Sequence, residues 1–290
     1  MHDSRPAERD PGAMKTEDTA WNRIAERLVI LLSHERSGSH YLAEMLVSGS
    51  EIVSLDEVCN FDAVDPDKSR VSFFGFRREW QTQHPDLAVR PDAAVMNDFL
   101  DAYFVRLLEL INQKKVLLDI KYGHVHNFEP GWWPSEMRPL LLRYLARRNI
   151  RAVHLTRHNS MAAVLSAFAA ESAGVWHRRA GSESAVRPRM RVPVPIMVQK
   201  AITLHREKEN FFGWLAGNRC FNLTYEEISG ADSERERSLA RLCAFLEIRV
   251  CEFASTLEKM TLPIRELVEN YGELRRVATT FGVGGLPPTI

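Results

Sequence analysis

This sequence predicts an α/β fold built on a mostly parallel sheet, and three observations carry the prediction. Four short apolar runs, RLVILLS (27–33), VLLDIKY (116–122), IRAVHLT (150–156) and CFNLTY (220–225), have the length and character of strands buried on both faces. Stretches with apolar residues at helical spacing fall between them, an alternation that places helices over both faces of parallel strands. With 290 residues, 45% of them hydrophobic, the chain can bury a real core, and one domain is the economical reading.

The elements follow in order. Residues 1–26, opening MHDSRPAERDPGAMKTED, are polar and carry acids without an apolar stretch. They read as a flexible tail, not a secretory leader, ahead of a domain over 27–290. After RLVILLS a Ser/Gly turn enters a helix marked by Tyr41, Leu42, Met45 and Leu46, with Gly49 as its stop. VSLDE (53–57) reads as a short strand or a turn, and residues 62–91 as irregular, with FFGFRREW among them. Asp92 stands to cap a helix running to Lys114 through Val95, Phe99, Phe104, Leu107, Leu108 and Ile111. Pro134 to Arg148 reads as helix, and Asn159 caps an alanine-rich helix reaching Val175. The basic stretch HRRAGSESAVRPRMRVPVP (177–195) reads as a loop or lid. A long helix then runs to Trp214, and helices follow CFNLTY as far as Thr280.

Charge and composition narrow the function. Lysine and arginine number 38, as do aspartate and glutamate, so no global field draws the chain to nucleic acid or an anionic membrane. Any anion site is therefore a local arrangement. Cys59, Cys220, Cys243 and Cys251 are scattered without a CxxC pair, as expected of reduced thiols in a cytoplasmic protein. No apolar run approaches the roughly 18 residues of a membrane span.

The stretch LLSHERSGSHYLAEML (31–46) carries the chemistry. Backbone N–H groups of a glycine turn at a helix N-terminus attract an anion; Ser37, Gly38 and Ser39 permit that turn, and Arg36 adds full charge. The same residues also suit an ordinary strand–helix turn. The nucleotide pattern GxxxxGK[ST] is not met: Ser33 stands at its first glycine, its lysine is missing, and His40 stands in its hydroxyl region. That argues against a nucleoside triphosphatase.

ERSGSHYL resembles the 5′-phosphosulfate loop of PAPS-dependent sulfotransferases, typically PRSGST or PKSGTT. VHLTRHNSMAAVLSAFAAE (153–171) is similar to their 3′-phosphate segment, a strand ending in arginine and a helix bearing serine, here Arg157 and Ser166. FNLTYEEI (221–228) resembles the family's YEDL strand, and VENYGELRRVATTF the asparagine-containing C-terminal segment of bacterial members. Glu35 replaces the usual proline, His40 the usual hydroxyl, and the RKG–GDWKN segment of cytosolic steroid and phenol sulfotransferases is missing. The resemblance is thus to bacterial carbohydrate or natural-product sulfotransferases. It implies a single α/β domain related to P-loop kinases, PAPS as donor and PAP as product, and a sugar or small-molecule hydroxyl as acceptor. A monomer or homodimer stays open.

The resemblance also implies roles. Arg36, Ser37, Gly38, Ser39 and His40 would hold the donor's 5′ end, with Arg36 meeting charge on the leaving oxygen; Arg157 and Ser166 would hold the 3′-phosphate. Tyr225 would lie on the nucleotide side. Glu57 sits where some bacterial relatives carry a catalytic glutamate; His124, His126 and His40 are rival bases, placed at loops where sites gather. Lys121 either faces the sulfate or pairs with a buried acid. HxH at 124–126 lacks a third ligand at suitable spacing, so no metal is expected. The basic loop 178–191 would close over the donor or bind an acidic acceptor, or is simply solvated. FFGF (73–76) and Trp132–Trp133 would stack on an acceptor or belong to the core. The alternatives to a sulfotransferase are a P-loop small-molecule kinase and a nucleotide-binding protein without chemistry.

Overall fold

The computed structural model describes residues 22–49, 51–61, 70–85, 92–111, 114–131, 134, 136–176, 189–250, 252–257 and 263–283. Five strands form one sheet: β1 (Leu28–Ser33), β2 (Ile52–Ser54), β3 (Lys115–Lys121), β4 (Arg151–Thr156) and β5 (Cys220–Thr224). Their order is β2-β3-β1-β4-β5, and every neighbouring pair is parallel. This is the single α/β domain that the alternation predicts, with the sheet entirely parallel.

β1 lies at the centre and all six of its residues are buried, which is why it reads as an uninterrupted apolar run. Its side chains alternate between two cores. Leu28, Ile30 and Leu32 join Val116, Leu118 and Ile120 of β3 beneath α2 (Phe73–Gln83), α3 (Ala93–Leu110) and α4 (Leu140–Arg147). Val29 and Leu31 turn the other way, toward α1 (Ser39–Val47) and α8 (Asp232–Leu246). A third cluster joins α5 (Ser160–Ala173), α6 (Val194–Trp214) and α10 (Tyr271–Thr280). Between these lie α7 (Tyr225–Ser229) and α9 (Ile264–Leu267). No helix among the described residues is long and apolar enough to cross a membrane.

Several sequence expectations shift. The helix α2 stands within the span expected to be irregular: Ser72 caps it by accepting from the Gly75 N–H at 3.2 Å, and Phe73, Phe76 and Trp80 fall on one face. Phe73 packs edge-on to Phe99 and Tyr103, each at 5.3 Å between ring centres, so this part of FFGF is core. The helix expected from Pro134 begins only at Leu140, because Pro139 disfavours helical backbone in the residue before it and takes the capping position itself. Residues 22–27 are already helical and Ile24 is fully buried, so the packed chain starts upstream of the boundary expected at Arg27. Trp132, Trp133 and most of the basic loop 178–191 lie outside the described residues.

The chain leaves β1 to build β2 and β3 on one side, then crosses to β4 on the other. The crevice at the carboxyl ends of β1, β3 and β4 is therefore the topological switch point, where open α/β sheets bind ligands.

Candidate functional site

The turn after β1 is fixed from within. The Ser37 hydroxyl donates to the His34 carbonyl at 2.7 Å, and the Ser37 side chain is fully buried. Arg36 and Gly38 both take left-handed backbone, φ 62° and 89°, and Gly38 caps α1. A Cβ at Gly38 would lie 2.6 Å from the Tyr225 ring, so the glycine serves both the turn and the close approach of that ring. The first N–H groups of an α-helix lack intrahelical acceptors, and α1 opens just past the carboxyl end of β1, at the crevice end of the sheet.

On the β4 flank, three side chains converge on this turn. Arg36 Nε donates to Ser166 Oγ at 3.1 Å, and Arg36 Nη1 to the Trp176 carbonyl at 2.5 Å. Arg157 Nη1 donates to the Arg36 carbonyl at 3.4 Å, and its guanidinium lies 4.8 Å from the centre of the Tyr225 ring. Burial lowers the Arg157 pKa from its ordinary value, while Tyr225 and Glu226 oppose that shift. Lys208 pins this corner by donating to the Arg157 and His158 carbonyls at 2.8 and 3.1 Å. Arg157 directly follows β4 and Ser166 lies within α5, and Asn159, accepting from the Ala162 N–H, caps the helix that presents the serine.

On the β3 flank the charges are spent on one another. The Lys121 ammonium donates to Asp119 Oδ2 and Ser39 Oγ, both at 2.6 Å, and to Ser33 Oγ at 3.2 Å. It also pairs with Glu57 Oε1 at 3.4 Å, whose second oxygen accepts from Asn60 at 3.1 Å. Of the two readings of Lys121, pairing with a buried acid is what the geometry gives, with a bond to the loop serine added. His40, Glu57 and Asp119 each bring a ligand-type atom within 4.8 Å of the others, a cluster that sequence spacing did not reveal. The Lys121 ammonium bonds two of those three carboxyl and imidazole groups, and so supplies the positive charge a metal would bring.

Between the flanks opens a cavity of about 290 Å³ lined by His34, Lys121, Tyr122 and His124 on the strand side and by α5 and α6 opposite. His34 is 4% exposed and holds the Glu35 carbonyl with Nδ1 at 2.6 Å. Burial foremost, then the nearby cations Lys208, Arg157 and Lys121, lower its pKa to about 3, against the Glu35 hydrogen bond. Its Nε2 is buried and has no partner among the described residues. His124, on the 3₁₀ turn Tyr122–Phe128, is likewise held below the usual histidine range by burial, although Glu57 pulls it up; its Nδ1 is buried without a partner among the described residues. Tyr122 stacks on Phe211 at 4.0 Å, and its hydroxyl meets His154 Nε2 at 2.5 Å.

The sequence-selected residues thus fall into three groups. Arg36, Ser37, Gly38, Ser39, Arg157, Ser166 and Tyr225 meet around one turn. Glu57 and His40 join the Lys121 cluster, whereas His124 lines the cavity and His126 is exposed. Asp119, His34, Lys208 and Trp176 were not singled out from sequence. Asp119 sits inside an apolar run, and a charged residue there is the one signal that marked it.

No protein-family model matches the chain, and no curated protein matches its sequence. Among solved structures it is similar to the crystal structure of mouse sulfotransferase SULT7A1 complexed with PAP, at 13% identity and a TM-score of 0.37, over 82% of this chain and 67% of that one.

Proposed function

We propose that this chain is a PAPS-dependent sulfotransferase that passes a sulfuryl group to a hydroxyl of a carbohydrate or secondary-metabolite acceptor. One observation carries the reading: Arg36 meets Arg157 and Ser166 across 121 and 130 residues of chain, beside a glycine turn at a helix N-terminus. Those are the segments whose sequences resemble the family's 5′- and 3′-phosphate motifs. The donor set fits two anionic groups. Among the described residues the half-buried Arg157 guanidinium meets a carbonyl and a ring face, neither of which neutralises it, and its remaining N–H groups suit a phosphate in bidentate contact.

When bound, PAPS supplies a sulfuryl group carried on a phosphate leaving group. The first N–H groups of α1 and the Ser39 hydroxyl hold the 5′ end, and Lys121 fixes that hydroxyl. Arg157 and Ser166 hold the 3′-phosphate. Arg36 stabilises charge on the leaving oxygen, a positioned cation that requires no reorganisation. Of the candidate bases, His124 lines the cavity, where its imidazole can take the acceptor's proton. Glu57, engaged by Lys121 and Asn60, holds the cluster that steadies Ser39. A P-loop kinase would need a lysine at Ser39 and a metal-binding hydroxyl at His40.

Calorimetry without magnesium tests the reading. PAP is expected to bind at least about tenfold tighter than AMP, the worth of one charge-assisted contact, and Arg157→Ala should erase that difference. Equal affinity for the two nucleotides in the unaltered chain overturns the assignment.

A further inference from the structure

The cavity beside Arg36 divides by chemistry. Val164 and Phe168 of α5, Leu204 of α6 and the Trp176 indole give it an apolar side, and Ala163 and Ala167 leave room beside them. At about 290 Å³ it stands at the small end of ordinary ligand pockets, which suits a compact body of one or two rings.

Charge around this space is uneven. Glu35 from the turn after β1, Glu171 from α5 and Glu207 from α6 bring carboxylates from three separate elements. Among the described lining residues the cations are Lys121 and Lys200, and Lys121 is already offset by Asp119 and Glu57. Among the described lining residues three carboxylates thus stand against Lys200, a balance that favours a positive group, while Arg36, Arg157 and Lys208 lie around the turn instead. Glu207 reaches solvent at one end, yet the protein packed around it raises its carboxyl above the usual range. A bound cation would relieve that desolvation.

A second, independent feature asks for a hydrogen-bond donor. With Nδ1 committed to the Glu35 carbonyl, neutral His34 presents a buried lone pair at Nε2 that nothing in the described structure satisfies. An unmatched buried acceptor is costly unless a ligand supplies the donor.

We infer that the acceptor is a small hydroxy compound bearing an amine on an apolar, preferably aromatic, body. Its ammonium lies among Glu35, Glu171 and Glu207, its ring lies against Phe168 and Trp176, and one of its N–H or O–H groups donates to His34 Nε2. The inference rests on the sulfotransferase reading, because the cavity is taken as the acceptor's.

Three phenols that differ only in the charge of the side arm test it: tyramine, N-acetyltyramine and 4-hydroxyphenylacetate, titrated into the full chain by calorimetry without nucleotide. Tyramine is expected to bind roughly tenfold tighter than either of the others, as an ammonium met by carboxylates should. Glu207→Gln and Glu171→Gln, at side chains that reach solvent, should each narrow the gap while leaving PAP binding intact. Equal affinities, or no binding of tyramine, overturn the inference. Preference for 4-hydroxyphenylacetate does so as well, and would favour the acidic acceptor that the basic stretch 178–191 suggests. Amine preference without PAP preference over AMP would leave the cavity's selectivity standing and remove the sulfotransferase reading; the reverse pattern would remove the amine alone.

Discussion

The two flanks of the turn after β1 each present a cation withdrawn from solvent, and they use it oppositely. On the β3 side, Lys121 is surrounded by Asp119, Glu57 and two serine hydroxyls, so its charge is cancelled inside the protein. On the β4 side, Arg157 leans on a carbonyl and an aromatic ring, contacts that orient a guanidinium without neutralising it, while Arg36 bonds the Ser166 hydroxyl and the Trp176 carbonyl. The contrast separates charge that builds the site from charge held ready for an incoming anion. Lys121 is buried and Arg157 half-buried, and partner chemistry is what sets the two apart.

The largest expected effect breaks the comparison from the β3 side. Lys121→Met keeps the side chain's length and strands Asp119, and leaving one member of a buried pair costs about 3–5 kcal/mol. Urea unfolding should show that loss, against on the order of 1 kcal/mol for Arg157→Gln, which forfeits only a carbonyl contact and a ring face. Equal losses would abolish the distinction between the flanks.

A smaller effect comes from the β4 side. Arg36→Ala should lower kcat by roughly 10²-fold, the scale of removing one preorganised donor, with a lesser change in donor affinity. Single-turnover kinetics would check it. A near-normal rate with weakened donor binding would make Arg36 an anchor and nothing more.

A pH-dependent effect sharpens the comparison at His34, which lies between the flanks and feels cations of both. Its folded pKa, about 3, lies below the ordinary 6.5, so the unfolded chain binds the proton first. Stability from this group is complete above pH 6.5 and falls toward pH 3 by at most about 1.4 kcal/mol per pH unit. His34→Gln should flatten that slope in urea melts taken across the same range. An unchanged slope would mean that other groups carry the acid sensitivity.

How far the sequence revealed all this depended on what each residue competes with. β1, β3 and β4 were readable because strands buried on both faces leave short, mostly apolar runs, and α5 and α3 because Asn159 and Asp92 announce their starts. α2 was hidden because Gly75 and its charged outer face mask the spacing of Phe73, Phe76 and Trp80. At the site, the segments bearing Arg36, Arg157, Ser166 and Tyr225 carry recognisable local patterns. Asp119, His34 and Lys208 matter through what lies next to them in space, and no spacing along the chain encodes that neighbourhood.

The contact between Gly38 and Tyr225 has a consequence for how this loop can change over generations. A side chain at position 38 is barred twice: by the ring 2.6 Å away and by a backbone twisted to φ 89°. Shrinking Tyr225 would lift the first bar and leave the second, while also stripping Arg157 of the ring it rests on. No single compensating substitution therefore opens position 38, and drift in this corner can accumulate around the glycine without passing through it.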